Sequence, residues 1–174
     1  MKRTSELLAL EAECERRNLD LDNIHNLSKF VLQNYSKEIK KHKDLTSDYR
    51  NWKIDTEERE NVRQVFLDLF HSDMSLTKNR EDVRKTLMSI LGSNWVNSII
   101  TGILPKIESF PYSGKKYLSI LKDTYLSKEI IPEEILCEKY GLSRTHFYQR
   151  KGESTILFGI FLYERALNPV FVEE

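Results

Sequence analysis

Four side-chain types that can read a base edge lie together near the C-terminal end of this chain. Arg can bond guanine O6 and N7, Gln can bond adenine N6 and N7, and Thr or Tyr can touch a thymine methyl or a phosphate. The segment Ser143-Arg144-Thr145-His146-Phe147-Tyr148-Gln149-Arg150-Lys151 carries all of them at helical spacing. With Phe147 pointing inward, Arg144, Thr145, Tyr148 and Gln149 fall on the outer face near the start of the helix, where a recognition helix meets bases. Ser143, His146, Arg150 and Lys151 are placed for phosphates. Lys139, Arg144, Arg150 and Lys151 are basic, and no acidic residue lies between Lys139 and Lys151. A chain whose 27 Lys and Arg balance 27 Asp and Glu therefore has a local +4 stripe of the kind phosphate contacts need.

Two elements must position these residues. Pro132-Glu133-Glu134-Ile135-Leu136 predicts a helix start, with Pro at the first helical position and two carboxylates at the positive dipole end. That helix stops at Gly141, and Ser143 is the expected N-cap of the next. Two helices joined by a short Gly-containing turn form a helix-turn-helix candidate. Cys137 supplies the small residue at the crossing, Gly141 the turn, and Leu142 and Phe147 the anchors. Ile135, Leu136 and Tyr140 complete the expected inner face of the first helix. A plain αα-hairpin in a bundle remains the alternative.

The rest of the chain reads as helical. Only six Gly and four Pro punctuate it, and apolar residues recur at spacings of three and four. A helix over 5–18, N-capped by Ser5, carries Leu7, Leu10 and Cys14. One from about Asp22 to His42 carries a narrow stripe of Ile24, Leu27, Val31, Tyr35 and Ile39, suited to a partner helix. The polar stretch from Lys40 to Thr56 is the candidate boundary, and Lys40-Lys41-His42-Lys43 reads as a solvated helix end. Asp55 and Glu58 form a capping signal for a helix over 56–71. Helices over 79–91 and 94–107 follow, broken at Gly92-Ser93 with Ser93 an available N-cap. Phe66 with Phe70, and Trp95 with Ile99, read as core pairs. Phe110-Pro111-Tyr112-Ser113-Gly114 reads as a turn whose Ser113 caps a helix carrying Tyr117, Leu118, Leu121 and Tyr125. The run Ile156 to Tyr163 is apolar on every helical face, so it is either core or buried against another subunit. The expected fold is an all-α helical bundle with a C-terminal helix-turn-helix. Its expected divisions are N-terminal helices over 1–45 for oligomerisation or partner binding, a helical core over 55–110 and a DNA-binding region over 113–168.

Composition excludes several classes. A hydrophobic share of 40% and a charged share of 31% suit a folded chain rather than a disordered one. Cys14 and Cys137 are far apart, with no zinc-ligand or disulfide pattern. His25, His42, His71 and His146 have no metal-ligand spacing, Gly114-Lys115-Lys116 lacks the upstream glycine of a phosphate loop, and no Ser or Cys sits in a nucleophile motif. No cofactor, metal or catalytic role is expected. The N-terminus lacks an apolar signal region, and no apolar run approaches the roughly 20 residues of a membrane span, so a cytoplasmic setting is expected.

The stretch from Lys115 to Leu167 resembles the C-terminal region of Gram-positive phage late-gene transcription regulators of the ArpU and RinA type. Their helix-turn-helix is in turn similar to region 4 of sigma-70 factors. The resemblance is carried by Tyr117-Leu118-Ser119-Ile120-Leu121-Lys122-Asp123-Thr124-Tyr125-Leu126 and by Ile135 through Lys151. It implies that Ser143 begins the recognition helix and that Arg144, Thr145, Tyr148 and Gln149 face bases. The family usually has Ala or another helix former where this chain has Gly152, which weakens the helix by roughly 0.5–1 kcal/mol unless packing compensates. The expected function is sequence-specific binding of double-stranded DNA by a phage or prophage regulator in a bacterial host, with RNA polymerase a possible partner. A homodimer is expected because two half-sites multiply the limited specificity of one recognition helix. The alternative is a helical interaction protein that binds RNA polymerase or a host protein without specific DNA binding.

Overall fold

The computed structural model describes residues 3–41, 56–71, 81–82, 84–85 and 94–167. The elements described here are α1 (Ser5–Arg16), α2 (Leu21–Lys41), α3 (Thr56–Phe70), α4 (Asn94–Glu108), α5 (Gly114–Leu121), α6 (Glu133–Tyr140) and α7 (Arg144–Leu167). A π-helical turn, Lys122–Leu126, extends α5. The protein is all-α, with no strand among the described residues. No described helix is long and apolar enough to cross a membrane. Of the expected helix over 79–91 only residues 81–82 and 84–85 are described, and these are helical. The Gly92-Ser93 break, most of the polar boundary and the side chains of Ile39, Lys40-Lys41-His42-Lys43, Phe66 and Trp95 lie outside the described residues.

The organising element is α7. Its 24 residues span about 36 Å at the α-helical rise, and each of α1 to α6 packs against it. That arrangement explains the run apolar on every face: Ile156 through Ile160, then Leu162 and Tyr163, are buried within this chain. The helix runs unbroken through Gly152. Gly159 marks a close approach of α2, since a Cβ there would lie 2.0 Å from Ser28 Oγ and 3.4 Å from the Ile24 carbonyl oxygen.

Periodicity locates the buried faces of the other helices. Leu7, Leu10 and Cys14 of α1 are buried, as are Ile24, Leu27, Val31 and Tyr35 of α2. The α2 stripe is wider than expected, because Ser28, Leu32 and Asn34 are also covered. Ile99, Ile100, Ile103 and Ile107 bury the inner side of α4. One core cluster draws on α1 to α5 and α7 and runs across all three of the expected divisions. The N-terminal helices thus pack inside the same body as the C-terminal region.

Three capping assignments differ from expectation. Thr4, in extended conformation, caps α1 by accepting the Leu7 N–H at 3.1 Å, whereas Ser5 donates its hydroxyl to Glu6. Thr4 also donates to Glu153 at 2.6 Å, a contact 149 residues distant that local spacing cannot encode. Ser113 adopts helical backbone angles instead of the extended ones an N-cap takes and makes no side-chain cap, while the preceding turn closes through backbone bonds from Ser113 to Pro111 and from Gly114 to Phe110. Pro132 is the extended residue just before α6 rather than its first helical residue.

Candidate nucleic-acid interface

The turn between α6 and α7 follows from local chemistry. Gly141 ends α6 in the left-handed region at φ 62°, and its N–H bonds back to the Cys137 and Glu138 carbonyls. A residue with a Cβ is strained there, so glycine fits the position. Leu142 N–H bonds to the Cys137 carbonyl at 3.0 Å, completing the reversal. Ser143 Oγ then accepts the His146 N–H at 3.2 Å and lies 2.9 Å from His146 Nδ1, so this hydroxyl caps its own helix.

Phe147 anchors the pair. It is fully buried in a small cluster with Ile120 and Leu136, against which Ile131, Cys137, Tyr140 and Leu142 pack. The Tyr140 ring stacks on it with centroids 6.4 Å apart. The Tyr140 hydroxyl donates to Asp123 Oδ2 at 2.6 Å and Lys139 Nζ to the same oxygen at 2.7 Å, fastening α6 to the π-helical turn. Burial alone would raise the Asp123 pKa, but these two donors hold it below the ordinary carboxylate value. Ile135 departs from expectation, being 53% exposed. The inner face of α6 is Leu136, Cys137 and Tyr140, and Ile135 lies about 100° round the helix from Leu136.

The proposed readers divide. Arg144 is open, with 74% of its side chain exposed, and Thr145, His146 and Tyr148 are exposed beside it. Gln149 is only 5% exposed, which contradicts its placement on the outer face. The sequence pattern assumed one buried face. The start of α7 instead has α6 on one side and residues 3–6 on another, where an open groove of about 480 Å³ is lined by Leu142, His146, Gln149 and Arg150.

The basic stripe is also less free than its composition implies. Every one of its four cations has a carboxylate within 4.0 Å: Lys139 with Asp123, Arg144 and Lys151 with Glu133, and Arg150 with Glu153 and Glu6. Arg150 lies 3.0 Å from buried Glu153 and 3.7 Å from Glu6, which commits it to the fold rather than to a phosphate. Lys151 Nζ sits between the rings of Tyr125 and Tyr148, at 5.6 and 5.7 Å from their centroids. Burial and then the nearby Lys29 charge lower its pKa, against an opposing effect of Glu133.

Two acidic residues gain roles that spacing did not reveal. Glu133 faces the start of α7, although its position marked it only as a favourable helix starter. Glu153, fully buried, accepts from Thr4, Tyr117 and Arg150. Its separation of three from Arg150 was the one signal available in sequence. Cys14 is buried and its thiol is pushed up to about 11 by that burial, while Cys137 is half-buried against the small cluster. Among the described residues no group of His, Cys, Asp and Glu is arranged to hold a metal ion. No protein-family model, curated protein or solved structure matches the chain.

Proposed function

We propose that this protein is a sequence-specific DNA-binding transcription regulator of phage or prophage origin, acting in the cytoplasm of a bacterial host. The observation that carries this reading is the exposure of Arg144, Thr145 and Tyr148 in the opening turns of α7, on a helix held from behind by buried Phe147. A rigid helix start with exposed Arg, Thr and Tyr has the chemistry for a major groove. Base contact falls to Arg144, Thr145 and Tyr148, and phosphate contact to His146 and Lys151; Gln149 and Arg150 support the helix from inside. Two copies on two half-sites supply the specificity that one short reading surface lacks. RNA polymerase is the natural second partner of such a regulator.

Selection of bound fragments from a randomised duplex pool at about 150 mM salt, with wild type beside Arg144→Ala/Thr145→Ala, tests this reading. A recovered motif that the double variant loses supports base readout, and two-fold symmetry in that motif supports the dimer. Absence of enrichment from a folded protein overturns it.

One observation favours a second reading, a helical interaction protein. Ile130 is 88% exposed and Ile135 53% exposed near the start of α6, while the cations of α7 are paired internally. Under that reading Ile135→Asp abolishes binding to RNA polymerase or a host protein, and Arg144→Ala leaves no DNA affinity to lose.

A further inference from the structure

Three donors of α7 converge on one acidic side chain. Tyr148 donates its hydroxyl to Glu133 Oε2, Arg144 lies 3.8 Å from the same oxygen, and Lys151 Nζ lies 4.0 Å from Oε1. The Arg144 guanidinium and the Lys151 ammonium both lie over the Tyr148 ring, at 5.8 and 5.7 Å. A phenol, a guanidinium and an ammonium around one anion are the donor set that a phosphodiester oxygen recruits.

We infer that Tyr148, Arg144 and Lys151 form a phosphodiester-binding cradle that Glu133 occupies in the free protein, and that DNA binding proceeds by displacing the Glu133 carboxylate. This rests on the DNA-binding reading above and adds the competitor that regulates its affinity.

The strengths of the ion pairs support exchange here rather than elsewhere in the stripe. Lys139 meets Asp123 at 2.7 Å, and Arg150 meets the fully buried Glu153 at 3.0 Å, so both are fastened to the fold. The Glu133 pairs to Arg144 and Lys151 are long, at 3.8 and 4.0 Å, and have no shorter pair beside them as the Arg150–Glu6 pair does; Arg144 is mostly in solvent and Lys151 mostly covered. A long pair to a mostly exposed Arg contributes little, so the Arg144 contact is the one that yields most easily to another anion. Glu133 also belongs to the first turn of α6, where the positive helix end keeps a carboxylate favourable whether or not α7 engages it. The side chain can therefore leave the cradle without loss of the helix start. Arg144 then faces DNA with its charge unmasked, Tyr148 gains a free hydroxyl, and Lys151, 19% exposed behind the Tyr148 ring, adds its positive field to the vacated position.

The test is titration of a fluorescent random-sequence duplex with the full chain as wild type, Glu133→Gln, Glu133→Asp, Glu138→Gln and Glu133→Gln/Lys151→Gln, at several salt concentrations. Glu138 is an exposed residue further along α6, so its substitution changes net charge equally without touching the cradle. Glu133→Gln is expected to bind about fivefold or more tighter near 0.1 M salt, with a salt slope steeper by about 1. Glu133→Asp, charged but one methylene shorter, gains less, Glu138→Gln gains little, and the double variant loses the gain. If Glu133→Gln lowers the melting temperature, the Glu133→Asp and wild-type pair carries the comparison. Unchanged affinity and slope in the Glu133 variants, or an equal gain from Glu138→Gln, overturns the cradle while leaving DNA binding intact. Absence of duplex binding by every protein overturns both readings.

Discussion

The Tyr117 hydroxyl of α5 donates to Glu153 Oε2 of α7 at 2.7 Å, and both residues are fully buried. Thr4 and Arg150 complete the set of donors to that carboxylate. An anion in the interior is tolerated only when its lone pairs are met in this way, because desolvating a charge without partners is costly. The hub ties the first residues of α1, the start of α5 and the middle of α7 to one point. Burial, the bond to Glu153 and its negative charge all push the Tyr117 hydroxyl pKa upward, so the phenol stays the donor.

Tyr117→Phe removes one donor from this hub and leaves the ring in place. The expected loss is about 1–3 kcal/mol, the usual consequence of a missing partner for a buried polar group. Urea unfolding checks it: the midpoint falls while the slope stays unchanged.

At Gly159 an added methyl group has no room. Ser28 cannot swing away freely, because its hydroxyl donates to the Ile24 carbonyl at 2.6 Å. Gly159→Ala is expected to destabilise by about 1–3 kcal/mol through overpacking, outweighing the gain in helix propensity of up to about 1 kcal/mol. Gly152→Ala is the contrast. A Cβ there would meet only His25 Nε2 at 3.8 Å, so thermal melting should show stabilisation.

Phe147→Ala empties the centre of the small cluster that joins α6 to α7. A loss of about 3–5 kcal/mol is expected for a fully buried Phe. Hydrogen exchange locates the effect: the amides of α6 lose protection more than those of α2. Equal loss throughout would show that the cluster is inseparable from the main core.

Acid should weaken the fold through His25. Burial first, then the charges of Lys29 and Lys151, lower its pKa below 6.5, against an opposing effect of Asp22. The folded state therefore favours neutral imidazole. The stabilising contribution is fully present above 6.5, the unfolded value, and is lost as pH falls through the lowered folded value. Melting temperatures at pH 7.5 and about pH 5 should fall further for wild type than for His25→Gln.

Much of the local design was legible in the chain itself. Left-handed Gly141, the Ser143 cap, buried Phe147 and the apolar stripes of α1, α2 and α4 all follow from backbone preference and from spacings of three and four. The turn and cap bonds span a few residues, and the period of a stripe lies within one helix, so a sequence window contains the signal even where the packing partner is distant. The same holds for the helical class as a whole.

What tertiary structure decided is which of the remaining faces are covered. Gln149 and Tyr148 are neighbours of similar polarity, yet one is buried and the other is exposed, because residues 3–6 return to cover one side of α7. Glu133 meets Tyr148 across 15 residues, and Thr4 meets Glu153 across 149. A +4 stripe in sequence became a set of paired charges in space by the same route. Periodicity specifies that a helix has a buried face; how many neighbours share it, and which carboxylates they bring, depends on contacts whose partners are distant along the chain.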